Sequence, residues 1–231
     1  MIAHRGSSAR HPDNSWAAFT AALAEGADAI ECDVVTTRDG ILVVRHDLAL
    51  ADRQVADVDA TELASVEPDT LRFADLVAWA ERSRIDLLVE LKDPFAANAV
   101  GAAVRASGWR EHIVVAGFHG PALAAMKRAI PDVRTSFMMG SVVAAEDLVQ
   151  LATAYRVDGV HPCWDGRAPQ PHRLLDAEFM DRLRHAGLAI TLWHEEREDE
   201  LRALVALRPD AICTNTPAAL RAIVDAQGAL V

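Results

Sequence analysis

The chain has no basic stretch. Its 23 Lys and Arg are scattered among 34 Asp and Glu, for a formal net charge of −11 over 231 residues. No run of cations is available to neutralise a polyphosphate backbone, which argues against nucleic acid as a partner. A single phosphate ester remains compatible with that charge. The sequence also lacks the run of about 18 apolar residues that a bilayer span requires, so no integral membrane segment is expected. Its start lacks a charged segment followed by a signal-like apolar core, and a soluble, cytoplasmic protein is expected. Cysteine is sparse: Cys32, Cys163 and Cys213 stand singly. An odd total with no pair at zinc-binding spacing predicts reduced, buried thiols. No internal repeat or low-complexity tract interrupts the chain, and nothing in it sets an oligomeric state.

What is present is concentrated near the start, where His4-Arg5-Gly6, Pro12-Asp13-Asn14-Ser15, Glu31-Cys32-Asp33 and His46-Asp47 follow in order. Glu31 and Asp33 lie two apart in an apolar segment too short for a surface helix; on a strand such positions share a face. Asp39-Gly40 then separates this run from Ile41 to His46, which signals a tight hairpin. If those two residues are the loop, Arg38 pairs with Ile41, Thr37 with Leu42, and Asp33 faces His46 on one side of the ladder. A one-residue slip would send His46 to the other face.

Two carboxylates on one face repel each other unless a positive group compensates. Pairing of an Asp with a His is one answer. A hard divalent cation fits better once a third carboxylate is available, and Glu90, at the end of the apolar run Ile85 to Leu91, is a suitable third ligand. Lys92 shares its face. The donor set suits Ca²⁺ or Mg²⁺ equally.

With 51% of its residues hydrophobic, the chain can bury one large core, and a single domain spanning 1–231 is expected. Short apolar runs alternate with Ala- and Leu-rich helical patterns, the mark of repeated βα units. The strand candidates are Ile2 to His4, Ala27 to Val35, Ile85 to Leu91, His112 to Phe118, Val133 to Met139, Asp158 to Cys163, Leu188 to Trp193 and Asp210 to Thr214. Helices are predicted over Asn14 to Glu25, Thr70 to Arg82, Pro94 to Ser107, Pro121 to Ile130, Ala144 to Tyr155, Asp176 to His185, Arg197 to Leu207 and Thr216 to Gln227. Asn14 or Ser15 and Thr70 are candidate N-caps, and Gly26, Gly187 and Gly228 candidate stops. Eight such units close into an α/β fold of the (β/α)8 TIM-barrel type, with functional groups at the C-terminal strand ends. His4, Glu31, Asp33, Glu90, His119, His161, Trp193, His194 and Asn215 all fall near such ends. Trp193 could belong to the core or could pack on a ligand at the barrel mouth. Asn14 could cap a helix, brace the His4 loop, or both. The polar connection Asp47 to Asp69 is a short insertion after the second-strand hairpin, long enough for a lid.

These motifs resemble the glycerophosphodiester phosphodiesterase family. The likeness rests on Ala3-His4-Arg5-Gly6, Pro12-Asp13-Asn14-Ser15, Ala18-Phe19, Gly26-Ala27-Asp28, Glu31-Cys32-Asp33-Val34, Asp39-Gly40 and His46-Asp47, then on Thr70-Leu71, Glu90-Leu91-Lys92 and the final Asp210-Ala211-Ile212-Cys213-Thr214-Asn215-Thr216-Pro217. The resemblance implies a TIM barrel that cleaves a small phosphodiester to glycerol 3-phosphate and an alcohol. It implies that Glu31, Asp33 and Glu90 hold the cation, that Arg5 and Lys92 meet the phosphate, and that His4 and His46 are general acid and base. One segment departs from the family pattern: Trp193-His194-Glu195-Glu196 stands where Trp-Thr-x-Asn is usual. Two alternatives keep the same residues: cleavage of lysolipid-type diesters, and a barrel that binds a phosphometabolite without turning it over.

Overall fold

In the computed structural model, which describes residues 1–162 and 169–228, the eight expected strands form a closed parallel barrel. They are β1 (Ile2–Ala3), β2 (Ala29–Thr36), β3 (Asp86–Leu91), β4 (Ile113–Gly117), β5 (Arg134–Met139), β6 (Gly159–Pro162), β7 (Ala189–Leu192) and β8 (Ala211–Thr214). Ile2 pairs with Ala29 on one side and Cys213 on the other, so β1 closes the ring although it is two residues long. Cys163 lies outside the described residues; Cys32 and Cys213 are buried thiols.

A helix follows each strand: α1 (Trp16–Ala24), α2 (Phe73–Ser83), α3 (Ala97–Ala106), α4 (Gly120–Ala129), α5 (Ala145–Tyr155), α6 (Ala177–His185), α7 (Glu198–Ala206) and α8 (Pro217–Gly228). Among the described residues no helix is long and apolar enough to cross a membrane. The strand period of two sorts the side chains. Ile30, Cys32 and Val34 point outward into the layer shared with Phe19, Leu76 and Val100, while Ile2, Leu88, Ala116, Met138 and Cys213 pack inside the barrel. The intervening positions Glu31, Asp33 and Glu90 therefore also face inward, and Asp33 is paired in register with Glu90.

The hairpin after β2 differs from expectation by one residue. Val34 pairs with Val44, Val35 with Val43 and Thr36 with Leu42, so Asp33 stands opposite Arg45, whose amide donates to the Asp33 carbonyl, and not opposite His46. The loop has three residues because Asp39 is used as a tether. Its Oδ1 accepts from the Thr37 hydroxyl at 2.6 Å and from the Ala60 amide at 3.0 Å, while Gly40 takes a left-handed φ of 79°. This one-residue slip does not carry His46 away from the site, because the strand ends at Val44 and the chain turns free of the ladder. Arg45 fixes that turn, donating to the Asp47 and Ala49 carbonyls and pairing with Glu67.

The insertion is more ordered than a polar lid. It carries a small two-stranded ribbon (Ala49–Leu50 with Arg53–Gln54) and a short helix, Ala60–Val66, over a satellite core of Val35, Val43, Leu50, Val55, Val58 and Leu63. Thr70 is not a helix cap: Leu71 and Arg72 first pair with Val44 and Val43, and α2 starts after Arg72. At the N-terminal end of the barrel the strands splay around a cavity of about 330 Å³, with His161 in its lining.

Candidate active site

The C-terminal ends of β1, β2, β3, β7 and β8 converge on one site. The loop from β1 to α1 makes the tightest contribution. Arg5, Gly6 and Asn14 all have positive φ, at 52°, 86° and 52°, a costly conformation for the two non-glycine residues. Gly6 has no alternative, since a Cβ there would sit 2.6 Å from the Ala18 carbonyl carbon. The strain is held by hydrogen bonds to the carboxylates. The Arg5 amide donates to Glu31 Oε2 at 2.9 Å, the Asn14 amide to the Arg5 carbonyl at 3.1 Å, and Asn14 Nδ2 to Asp33 Oδ2 at 2.8 Å. Of the two readings of Asn14, the structure shows the brace; Ser15 caps α1, accepting from the Ala18 amide.

Glu31, Asp33 and Glu90 are each 1% exposed or less, and each offers an oxygen within 4.8 Å of the others. Arg5 Nε stands 3.0 Å from Asp33, and Lys92 Nζ 2.8 Å from Glu90 and 3.6 Å from Asp33. Two cations do not balance the cluster. Burial, then the neighbouring carboxylates, pushes Glu31 well above the usual carboxylate range, and Glu90 is raised by the same causes against the opposing pull of Lys92. Glu31 Oε1, Asp33 Oδ1 and Glu90 Oε2 are buried and accept no hydrogen bond. Buried oxygens left this way are costly, and a hard cation would satisfy all three. The residues present therefore fit a divalent ion.

His4 borders this cluster. Its Nδ1 meets Asn215 Oδ1 at 2.7 Å, and because an amide oxygen only accepts, Nδ1 carries the proton. Nε2 then holds a lone pair, 3.9 Å from Glu31 Oε2. Burial first, then the charges of His194 and Arg5, lowers the His4 pKa to about 3, so the ring is neutral near pH 7. His46 approaches from the turn that leads into the insertion, close enough for its charge to bear on both Glu90 and His4. Its Nδ1 lies 2.7 Å from Asp47 Oδ1, and that hydrogen bond holds Asp47 below the usual carboxylate range. The cleft between the β1 and insertion loops, lined by Arg5, Asn14, His46 and Asp47, has a volume of about 680 Å³.

Trp193 is half-buried at the mouth. Its ring stands edge-on to His4 at 5.8 Å and tilts against Phe118 at 5.7 Å, while its inner side packs on the barrel interior. Trp193 thus belongs in part to the barrel core, with its remaining edge at the mouth. Of two further histidines expected near strand ends, His119 stands just past β4, where it caps α4 and accepts from the Ala122 amide, whereas His161 lines the cavity at the opposite end. Sequence reasoning gave no role to Asn215, which orients His4, or to His194, which stacks on it at 4.5 Å. The signals for Asn215 were its place just past the last strand and its membership of the final motif Asp210 to Pro217.

With this geometry in hand, comparison with known proteins is specific. A model of the Glycerophosphoryl diester phosphodiesterase family matches residues 4–219. The chain is similar to a probable glycerophosphodiester phosphodiesterase 1 of Mycobacterium tuberculosis, 29% identical over 86% of this chain and 83% of that protein. Its fold is that of a glycerophosphoryl diester phosphodiesterase from Silicibacter pomeroyi, with a TM-score of 0.83 at 23% identity over 98% of this chain and 93% of the other. A phosphodiesterase from Oleispira antarctica, solved with the product sn-glycerol-3-phosphate, matches with a TM-score of 0.81 at 20% identity over 97% and 96% of the two chains.

Proposed function

The chain belongs to the glycerophosphoryl diester phosphodiesterase family and is a phosphoric diester hydrolase, and on that premise we propose that it cleaves glycerophosphodiesters to glycerol 3-phosphate and an alcohol with the help of Ca²⁺ or Mg²⁺. The observation that carries this reading is the neutral, Nδ1-protonated His4, with its Nε2 lone pair at the edge of three buried carboxylates that lack sufficient cationic charge. Glu31, Asp33 and Glu90 would hold the ion, which when bound offsets phosphate charge as it builds in the transition state. Arg5 and Lys92 add fixed positive charge at the same place and orient the phosphate between β1 and β3.

His4 takes the proton from the attacking hydroxyl as its oxygen bonds to phosphorus, and His46, braced by Asp47, returns a proton to the alcohol oxygen as that bond breaks. When the attacking group is the substrate's own hydroxyl, the product is a cyclic phosphate, and water opens it with the two histidines exchanging roles. Purified protein should release glycerol 3-phosphate from glycerophosphocholine, stop after EDTA, and recover with added Ca²⁺ or Mg²⁺, while His4→Ala stays inactive with either ion. Absence of release under every ion from folded protein would overturn the assignment.

A second substrate class has its own supporting observation. Three successive strand-to-helix loops on one side of the mouth present apolar groups: Phe95 at 94% exposure, Phe118 at 43% and Val142 at 56%. Exposed apolar groups gathered this way suit an acyl chain carried on the glycerol of the substrate. Lysophosphatidylcholine assayed beside glycerophosphocholine separates the two, since a kcat/KM at least tenfold higher for the lysolipid would make the acyl chain part of the recognised substrate.

A further inference from the structure

His4 is held by one hydrogen bond at Nδ1, which fixes the tautomer but leaves the ring free to rock about that contact. A second set of contacts removes this freedom. Glu196 Oε1 accepts from the Asn215 amide at 3.1 Å and from His194 Nδ1 at 2.9 Å, and the His194 ring lies on the His4 ring with centroids 4.5 Å apart and planes 21° apart. The four residues form a closed circuit: His4 to Asn215, Asn215 to Glu196, Glu196 to His194, and His194 back onto the His4 face. The edge of Trp193, at an interplanar angle of 83° to His4, adds a contact to the same ring.

The platform under this circuit is stiff. Glu195, 5% exposed, accepts from the Glu196 and Arg197 amides at 2.9 Å each and from Arg197 Nε at 2.8 Å, which pins the turn from β7 into α7. Ser8 Oγ lies 2.7 Å from the His4 carbonyl oxygen and 2.8 Å from Asn215 Oδ1, so its one hydroxyl proton serves either acceptor and closes the far side.

We propose that His194 and Glu196 are a positioning pair, which fixes the plane of the His4 ring and so aims its Nε2 lone pair into the site. The inference rests on the reading of His4 as the proton acceptor. His194 acts through its flat face and Glu196 through the two donors it joins, so neither needs to touch substrate. A base let loose by a fraction of an ångström to 1 Å loses about 10- to 100-fold in rate.

The test uses His194→Ala, His194→Phe, Glu196→Ala and the double alanine variant, all checked for an unchanged unfolding transition. The expected result is a kcat lowered roughly 10- to 100-fold in His194→Ala and Glu196→Ala with KM within about twofold. His194→Phe, which keeps a flat ring against His4, should recover most of that loss, and the double variant should be no worse than either single one. An unchanged kcat in His194→Ala would overturn the proposal. So would His194→Phe as slow as His194→Ala, which would assign the effect to the nitrogen of His194 and not to its ring, or a rise in KM with kcat intact, which would assign His194 to substrate.

A readout independent of turnover accompanies this. NMR of labelled histidines in the metal-free protein should show His4 in the Nδ1-protonated tautomer in all three proteins, because the Asn215 contact stays, with the His4 ring resonances broadened by rocking in His194→Ala and Glu196→Ala. Equally sharp His4 ring resonances in all three proteins would overturn the proposal. Broadening together with a fully active His4→Ala would keep the clamp and remove the role assigned to His4.

Discussion

Glu31 is buried beside two other carboxylates, and only one of its oxygens accepts a hydrogen bond. Its raised pKa, like that of Glu90, means that the metal-free fold binds more protons than the unfolded chain above about pH 4.5. Stability from these groups is therefore lost as pH rises through their folded values, and a bound cation reverses the loss. Glu31→Gln should stabilise the metal-free protein at pH 8 by on the order of 1–2 kcal/mol, or about 2–8 °C for a chain of this size. The same variant should no longer respond to added Ca²⁺ or Mg²⁺. Calorimetry with EDTA and with each ion checks both; a fall in the metal-free transition would mean that the three carboxylates already have enough positive charge. Asn14 is the complementary case, since it satisfies Asp33 at the side chain and at the amide. Asn14→Ala leaves both groups buried without that partner and should cost about 1–3 kcal/mol, read from denaturant midpoints. Glu31, Asp33 and Glu90 were legible because each sits on a known face of an apolar run, and His4 and Asn14 because they stand in ordered motifs near the start. Asn215 and His194 had no role assigned from the sequence, because their value lies in whom they touch across 211 and 190 residues of chain.

Gly6 shows how an element's path can rest on one residue. The turn from β1 must pass within contact of α1, and the atoms a side chain would meet belong to the Ala18 backbone, which cannot step aside. Gly6→Ala should destabilise the fold by about 1–3 kcal/mol and lower kcat more than it raises KM, because Arg5 and His4 shift together. Stability and steady-state kinetics on one preparation test this, and a variant equal to wild type would show that the loop adapts. The hairpin teaches a related lesson about legibility. Asp39-Gly40 correctly marked the turn, but its length depended on Asp39 reaching Ala60, a contact 21 residues away that no local pattern displays. The helix Ala60–Val66 was hidden for another reason: only Ala60 and Leu63 are buried in it, too few positions to set a helical period. The eight barrel strands, by contrast, were legible as short runs richer in apolar residues than the segments around them, as strands covered on both faces are.

At the scale of the molecule, the barrel joins two ends with different chemistry. His161 lines the cavity at the N-terminal end, and burial lowers its pKa to about 3. A histidine depressed this way binds fewer protons in the fold than in the unfolded chain, so its contribution is intact above about pH 6.5 and is lost as pH falls toward 3, at up to about 1.4 kcal/mol per pH unit. His161→Gln should flatten the pH dependence of unfolding across that window, as urea titrations at pH 4, 5 and 7 will show; an unchanged slope would place the acid sensitivity elsewhere. The ring closure described for β1 has a further consequence in time. Every group proposed to bind the cation, meet the phosphate or move a proton is synthesised by residue 92, yet the amide that orients His4 is residue 215. A nascent chain can thus carry the complete set of reactive groups and remain idle until its last strand docks against its first. Recovery of activity during refolding becomes a clock for that final event, and it runs behind any signal that reports only on the amino-terminal half.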